Sequence, residues 1–174
     1  MVVNSTFSGN RAEAGAAVLN GGKLSVNYST FSGNGAEFVG GGIQNANAPA
    51  ARLRIGNTVF ADNARGNVNN VCAGGQCRGT ITDGGYNISD DRSFRFSSPT
   101  SKTDVNPRLE PGGPQNNGGP TDTIALQGSF PAVEAVPKGV NGCGTVVKRD
   151  QRGVQRPQDK RCDAGAFENQ VGPR

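Results

Sequence analysis

Apolar and small polar residues alternate along this chain in short runs that stop at glycine, asparagine or proline. No stretch carries an apolar stripe at helical spacing. The runs repeat. Val2-Val3-Asn4-Ser5-Thr6 leads into Phe7-Ser8-Gly9-Asn10, and Val26-Asn27-Tyr28-Ser29-Thr30 into Phe31-Ser32-Gly33-Asn34. Ile55-Gly56-Asn57-Thr58-Val59 leads in the same way into Phe60-Ala61-Asp62-Asn63. Phenylalanine to phenylalanine, the spacings are 24 and 29 residues. Self-similarity at such periods belongs to repeat architectures. With β-branched residues, glycine and asparagine in each copy, it points to stacked β-coils.

In a strand, neighbouring side chains face opposite ways. In the second copy Val26, Tyr28 and Thr30 then face one side and Asn27, Ser29 and Phe31 the other. Burying both Val26 and Phe31 requires a bend between them. Phe7, Phe31 and Phe60 are expected to stack from coil to coil. Asn10, Asn34 and Asn63 are expected to form a ladder, because an amide side chain both donates and accepts at a corner with buried backbone groups. The plainer alternative is three surface turn asparagines.

Glycine-rich joints separate the copies: Gly15-Ala16-Ala17-Val18, Gly40-Gly41-Gly42-Ile43 and Gly84-Gly85-Tyr86-Asn87-Ile88. Corners need positive φ or close backbone approach. A phosphate cradle is excluded, since neither a helix nor a lysine follows in the required pattern. Residues 45–51 read as an outward loop that lengthens the second period. Thr80-Ile81-Thr82 and Tyr86-Asn87-Ile88 read as strands of a last, less regular coil. Residues 1–96 are thus expected to be parallel β-helix coils, the C-terminal coils of a larger solenoid, because Met1 falls inside a repeat. Residues 97–174, rich in proline, glycine and asparagine at first, are expected to form an irregular linker and cap. An uncovered coil end would be an open sheet edge.

Only 33% of residues are apolar and tryptophan is absent, so the core must be thin, which a solenoid tolerates. No run is long enough for a transmembrane helix, and residues 1–20 lack the pattern of a signal peptide. Of the net charge of +4, residues 148–174 carry +3. That basic excess lacks interleaved aromatics, so nucleic-acid binding is not expected. Without histidine a Ser-His-Asp triad is excluded. Four cysteines in a loop-rich chain suit disulfides in an oxidising compartment. Spacing favours Cys72–Cys77 and Cys143–Cys162, with zinc as the rival reading; sequence alone leaves connectivity open. Asp83, Asp90 and Asp91, near Arg92 and Arg95, are the best acidic cluster. They are weak calcium candidates and the residues a polysaccharide lyase or hydrolase would need; the plain reading is a solvated turn. No catalytic residue and no cofactor is assigned, structural calcium being the one candidate.

The Phe-x-x-Asn copies with the Gly40-Gly41-Gly42-Ile43 joint resemble the repeats of polymorphic outer-membrane proteins of the chlamydial type. The tail is more specific. Asp104-Val105-Asn106-Pro107-Arg108-Leu109, Asn117-Gly118-Gly119-Pro120-Thr121, Asp150-Gln151-Arg152-Gly153 with Arg156-Pro157, and Cys162-Asp163-Ala164-Gly165-Ala166-Phe167-Glu168 together resemble the choice-of-anchor Q domain. The chain departs from the pattern at Gly128-Ser129-Phe130-Pro131-Ala132-Val133-Glu134, which has an extra residue and glutamate for aspartate, and at Ala16-Ala17.

The resemblance implies an all-β, right-handed parallel β-helix of the pectin-lyase-like type, carried by exported bacterial surface proteins. It brings no catalytic residues. Asp150, Arg152, Arg156, Asp163 and Glu168 are expected to form a charge-assisted network holding the cap on the last coil. The expected function is a non-enzymatic, exported or cell-surface module, adhesin-like or a display scaffold. The alternative is a polysaccharide-active enzyme or a carbohydrate-binding module. The expected partner is a cell-surface or glycan ligand, with no nucleic acid, no membrane insertion, and self-association through the open N-terminal coil end. The expected location is extracellular or cell-surface, as part of an exported parent.

Overall fold

In the computed structural model, which describes residues 1–129 and 131–170, the alternating runs form short strands separated by sharp corners. The first coil holds β1 (Val2–Val3), β2 (Thr6–Ser8), β3 (Arg11–Ala14) and β4 (Val18–Asn20). The second holds β5 (Lys23–Asn27), β6 (Thr30–Ser32), β7 (Gly35–Val39) and β8 (Ile43–Asn45). The third holds β9 (Arg52–Gly56), β10 (Val59–Ala61) and β11 (Val68–Asn70), and the last β12 (Thr80–Asp83) and β13 (Ile88–Ser89). Equivalent strands pair in parallel, in the orders β1-β5-β9-β12, β2-β6-β10-β13, β3-β7 and β4-β8-β11. The architecture is a parallel β-helix. The loop after β8 absorbs the longer second period.

The corners explain why the strands are short. Asn4, Tyr28, Asn57 and Tyr86 occupy the same place in successive coils, and all have positive φ, from 45° to 57°. Tyr28 therefore supplies the bend between Val26 and Phe31. Asparagine suits this conformation; tyrosine adopts it only where its surroundings enforce it. At the second joint a different constraint acts. A Cβ on Gly41 would lie 2.2 Å from the Ala64 carbonyl oxygen, and one on Gly42 2.2 Å from that of Asn67. The coils approach too closely there for any side chain.

Inside, Val26, Phe31, Ile43, Leu53, Ile55, Phe60 and Val68 form the buried core. Parallel register sets Phe7 beside Phe31 and Phe31 beside Phe60. Their rings stack at 4.7 and 5.1 Å between centroids. Phe96 continues the column 6.4 Å beyond Phe60, and Phe94 meets Phe96 edge-on. These two rings cover the core at its C-terminal end.

The start of the C-terminal segment seats on the last coil, Lys102 bridging Ile88 in parallel and Val105 N–H donating to the Ser89 carbonyl. The rest lies along the flank of the coils. The cause is on the outer face of the β2-β6-β10-β13 sheet. Phe7, Phe31 and Phe60 face inward, so Thr6, Thr30, Val59 and Ile88 face outward beside Tyr28. This strip would expose apolar surface across several coils. The tail covers it, packing Leu126, Ala132 and Ala164 on Val59 and Ile88, and Val136, Cys143, Val147 and Cys162 on Tyr28. Within the tail, β14 (Val136–Pro137) pairs antiparallel with β15 (Arg161–Cys162), next to a 3-10 turn at Val140–Gly142. Phe130 of the divergent 128–134 segment lies outside the described residues. Among the described residues, no helix is long and apolar enough to cross a membrane.

Candidate functional site

The densest cluster of charge lies where the tail meets the coils. A tight turn after Arg149 aims the Asp150 carboxylate back at its own loop. Asp150 accepts backbone N–H groups from Arg152 (2.8 Å), Val154 (2.9 Å) and Glu168 (3.0 Å). It also accepts the Arg152 guanidinium at 2.8 and 2.9 Å. Arg152 in turn covers the Phe167 ring, 3.5 Å from its centroid.

Arg156 lies deeper, 1% exposed. It donates to Glu168 Oε2 (2.7 Å) and to the carbonyls of Asp163 (2.8 Å) and Gly165 (2.7 Å). Its guanidinium sits over the Tyr28 ring, 4.7 Å from the centroid. Glu168 also accepts the N–H groups of Asp163 and Gln158, and Asp163 accepts those of Glu134 and Asn169. The Tyr28 hydroxyl and Arg156 Nε are buried without a hydrogen-bond partner among the described residues.

Burial dominates the ionisation of this cluster. It pushes the Glu168 carboxyl up to about 8, against the opposing pull of Arg156. It pushes the Asp163 carboxyl up to about 6, against the N–H groups of Asn169 and Glu134. It lowers Arg156 and raises the Tyr28 phenol. Burial outweighs the nearby cation, so these carboxyls hold protons where ordinary carboxylates would have lost theirs. Such values often mark catalytic groups. Here the carboxyl oxygens are already engaged and the cluster is sealed, so it fastens the tail and offers no place for a substrate. It ties to the flank of the earlier coils: Ala166 N–H donates to Thr30 Oγ1 (3.0 Å) and Gly165 N–H to the Asn57 carbonyl (2.8 Å).

The asparagines run as ladders. Asn10 donates to Asn34 and Asn34 to Asn63, each at 2.8 Å; Asn63 continues to Asn67 at 2.7 Å. A second ladder, Asn20 to Asn45 (2.8 Å) to Asn70 (2.9 Å), escaped sequence reading. Its signal was there: each asparagine lies two places after a β-branched residue, at an even 25-residue spacing. A third set crosses to the tail. Asn57 donates to Asn27 (2.7 Å), and Asn141 donates to Asn57 (3.1 Å) and to the Gly84 carbonyl (2.8 Å).

Of the acidic candidates, Asp90 and Asp91 meet at Asn67, whereas Asp83 bonds a separate set of partners. Asp83 accepts from Gly85, Asn87, Ser98 and Ser101. Asp90 accepts from the Asp62 N–H and Asn67, and Asp91 from the Asn67 N–H and Ser93. Their oxygens satisfy peptide N–H groups at the edge of the coils. Among the described residues no group of three or more acidic or cysteine side chains could hold a metal. Asp83, Asp90 and Asp91 are placed as acceptors of internal donors. Arg92 pairs instead with Asp104 at the surface, where such a bridge contributes little.

All four cysteines are paired, as Cys72–Cys77 and Cys143–Cys162, which leaves no thiolate for zinc and fits an oxidising setting. Cys143 and Cys162 are buried where the tail packs on Tyr28, whereas Cys72 and Cys77 lie on an exposed turn. In comparisons with protein-family models, curated proteins and solved structures, nothing matches this chain.

Proposed function

We propose that this chain is a non-enzymatic module of an exported or cell-surface protein, an adhesin-like or structural display scaffold. Its fold is read as the right-handed, pectin-lyase-like form of the β-helix, and its tail as of the choice-of-anchor Q kind. One observation carries the functional reading. The charged residues with the strongest catalytic look, Arg156, Asp163 and Glu168, are closed off from solvent and bonded within the chain. Asp83, Asp90 and Asp91, nearer the surface, accept hydrogen bonds from internal donors. Such a molecule offers outer faces at fixed strand spacing, which suits a scaffold. The two disulfides suit an oxidising, extracellular location.

The test is incubation of the full chain with uronate and neutral polysaccharides, with and without calcium. The reading expects neither unsaturated uronate nor new reducing ends. Turnover that disappears in Asp90→Ala or Asp91→Ala would overturn it.

A further inference from the structure

The outer face of the β1-β5-β9-β12 sheet carries a cluster of like charge. Alternation buries Leu53 and Ile55 and turns Lys23, Arg52 and Arg54 outward. Register places Lys23 directly beside Arg52 on the neighbouring strand, with Ser25 beside Arg54. Thr80 and Thr82 extend the same two rows on β12. Adjacent strands lie about 4.8 Å apart, so like charges directly opposite one another repel.

The ion pairs Arg92–Asp104, Arg152–Asp150 and Arg156–Glu168 all lie away from this face. The shallow groove there, about 440 Å³, is lined by the three cations, by Ser25, Thr80 and Thr82, and by Met1, Leu24 and Leu53; no acid borders it. The cations are also positioned. Arg52 donates to the carbonyls of Pro49 and Ala51, and Arg54 lies across the bare backbone of Gly84.

We infer that this face binds an acidic polysaccharide, its carboxylates meeting Lys23, Arg52 and Arg54 and its hydroxyls meeting Ser25, Thr80 and Thr82. The charge demands an anion, and rows of hydroxyls beside the cations suit a polyhydroxylated chain. No aromatic side chain borders the groove to stack a base, which disfavours single-stranded nucleic acid. Totals of charge hide this site, because residues 1–147 as a whole carry only +1. The inference rests on the display-scaffold reading and names its ligand class.

The experiment is calorimetric titration of the full chain with alginate, a polyuronate, at low and high salt. Neutral dextran and single-stranded DNA serve as comparators. Wild type should bind alginate, more weakly at high salt, and leave dextran unbound. Lys23→Gln/Arg52→Gln/Arg54→Gln should bind at least ~10-fold more weakly while staying folded with a cooperative melting transition, since charge-assisted contacts to the ligand are lost. Lys138→Gln/Lys148→Gln/Lys160→Gln, which removes three exposed cations elsewhere, should retain affinity. Absence of alginate binding overturns the inference and leaves the scaffold reading standing. Equal losses in the two triple variants, or DNA bound as tightly as alginate, also overturn it. Cleavage of bound alginate would overturn the scaffold reading while leaving this face as the binding site.

Discussion

Asn34 shows how much one residue does in this fold. Its side chain accepts from the Asn10 side chain and backbone and donates to Asn63 and to the Phe7 carbonyl. Asn34→Ala would leave several buried groups unpaired, and each unsatisfied partner is costly. We expect a loss of roughly 2–4 kcal/mol in urea unfolding; a loss comparable to that of a surface substitution would contradict the ladder's role. Glu168 and Asp163 set a pH dependence. Their native carboxyls hold protons that the unfolded chain has released, because burial raises both above ordinary carboxylate values. Stability is then fully present below pH ~4 and is lost as pH rises, through about 6 for Asp163 and about 8 for Glu168. Melting temperature should fall between pH 5 and pH 8 by roughly 4 °C or more. Glu168→Gln should flatten that fall, and an equally steep profile in the variant would refute the assignment.

At the scale of strands and turns, the repeat made much of the fold legible. The columns of Phe7, Phe31 and Phe60 and of Asn10, Asn34 and Asn63 follow from equal spacing in sequence, because parallel coils stack like on like. The left-handed corner at Tyr28 and Tyr86 was not legible as such, since tyrosine carries no turn signal. The glycine joint was legible for a partly different reason from the one that operates at Gly41 and Gly42, where contact with the next coil forbids a side chain. Gly41→Ala should cost about 1–3 kcal/mol by overpacking, whereas Gly21→Ala, with open space at its Cβ, should be nearly neutral. The disulfides divide similarly. Loop-closure entropy assigns about 3 kcal/mol to Cys143–Cys162 and about 2 to Cys72–Cys77. Replacing the buried pair with serine also disturbs the Tyr28 cluster, so denaturant midpoints should fall more for Cys143→Ser/Cys162→Ser than for Cys72→Ser/Cys77→Ser.

For the whole molecule, the consequential feature is the tail laid along the flank. Sequence marked Asp150, Arg152, Arg156, Asp163 and Glu168 as a closing network, but it could not say against which surface. The contacts that decide this, such as Thr6 with Gln151 and Thr30 with Ala166, join residues with no local relation in the chain. The tail spans the stack, from Asn4 and Thr6 in the first coil to Gly84 in the last. Coils and tail should therefore unfold as one unit. Removing the central guanidinium strands the Glu168 carboxyl and the carbonyls of Asp163 and Gly165, so Arg156→Met should cost about 3–5 kcal/mol and shift a single unfolding transition without splitting it; two separated transitions would count against a shared core. Native-state hydrogen exchange on the full chain tests this union most directly. Amides of β6 and β10 and those of residues 161–168 should exchange only through global opening, with the same free energy. Exchange of residues 161–168 at a much lower free energy, with the coils still protected, would show that the tail is an appendage and that the sealed charge cluster does not hold the molecule together.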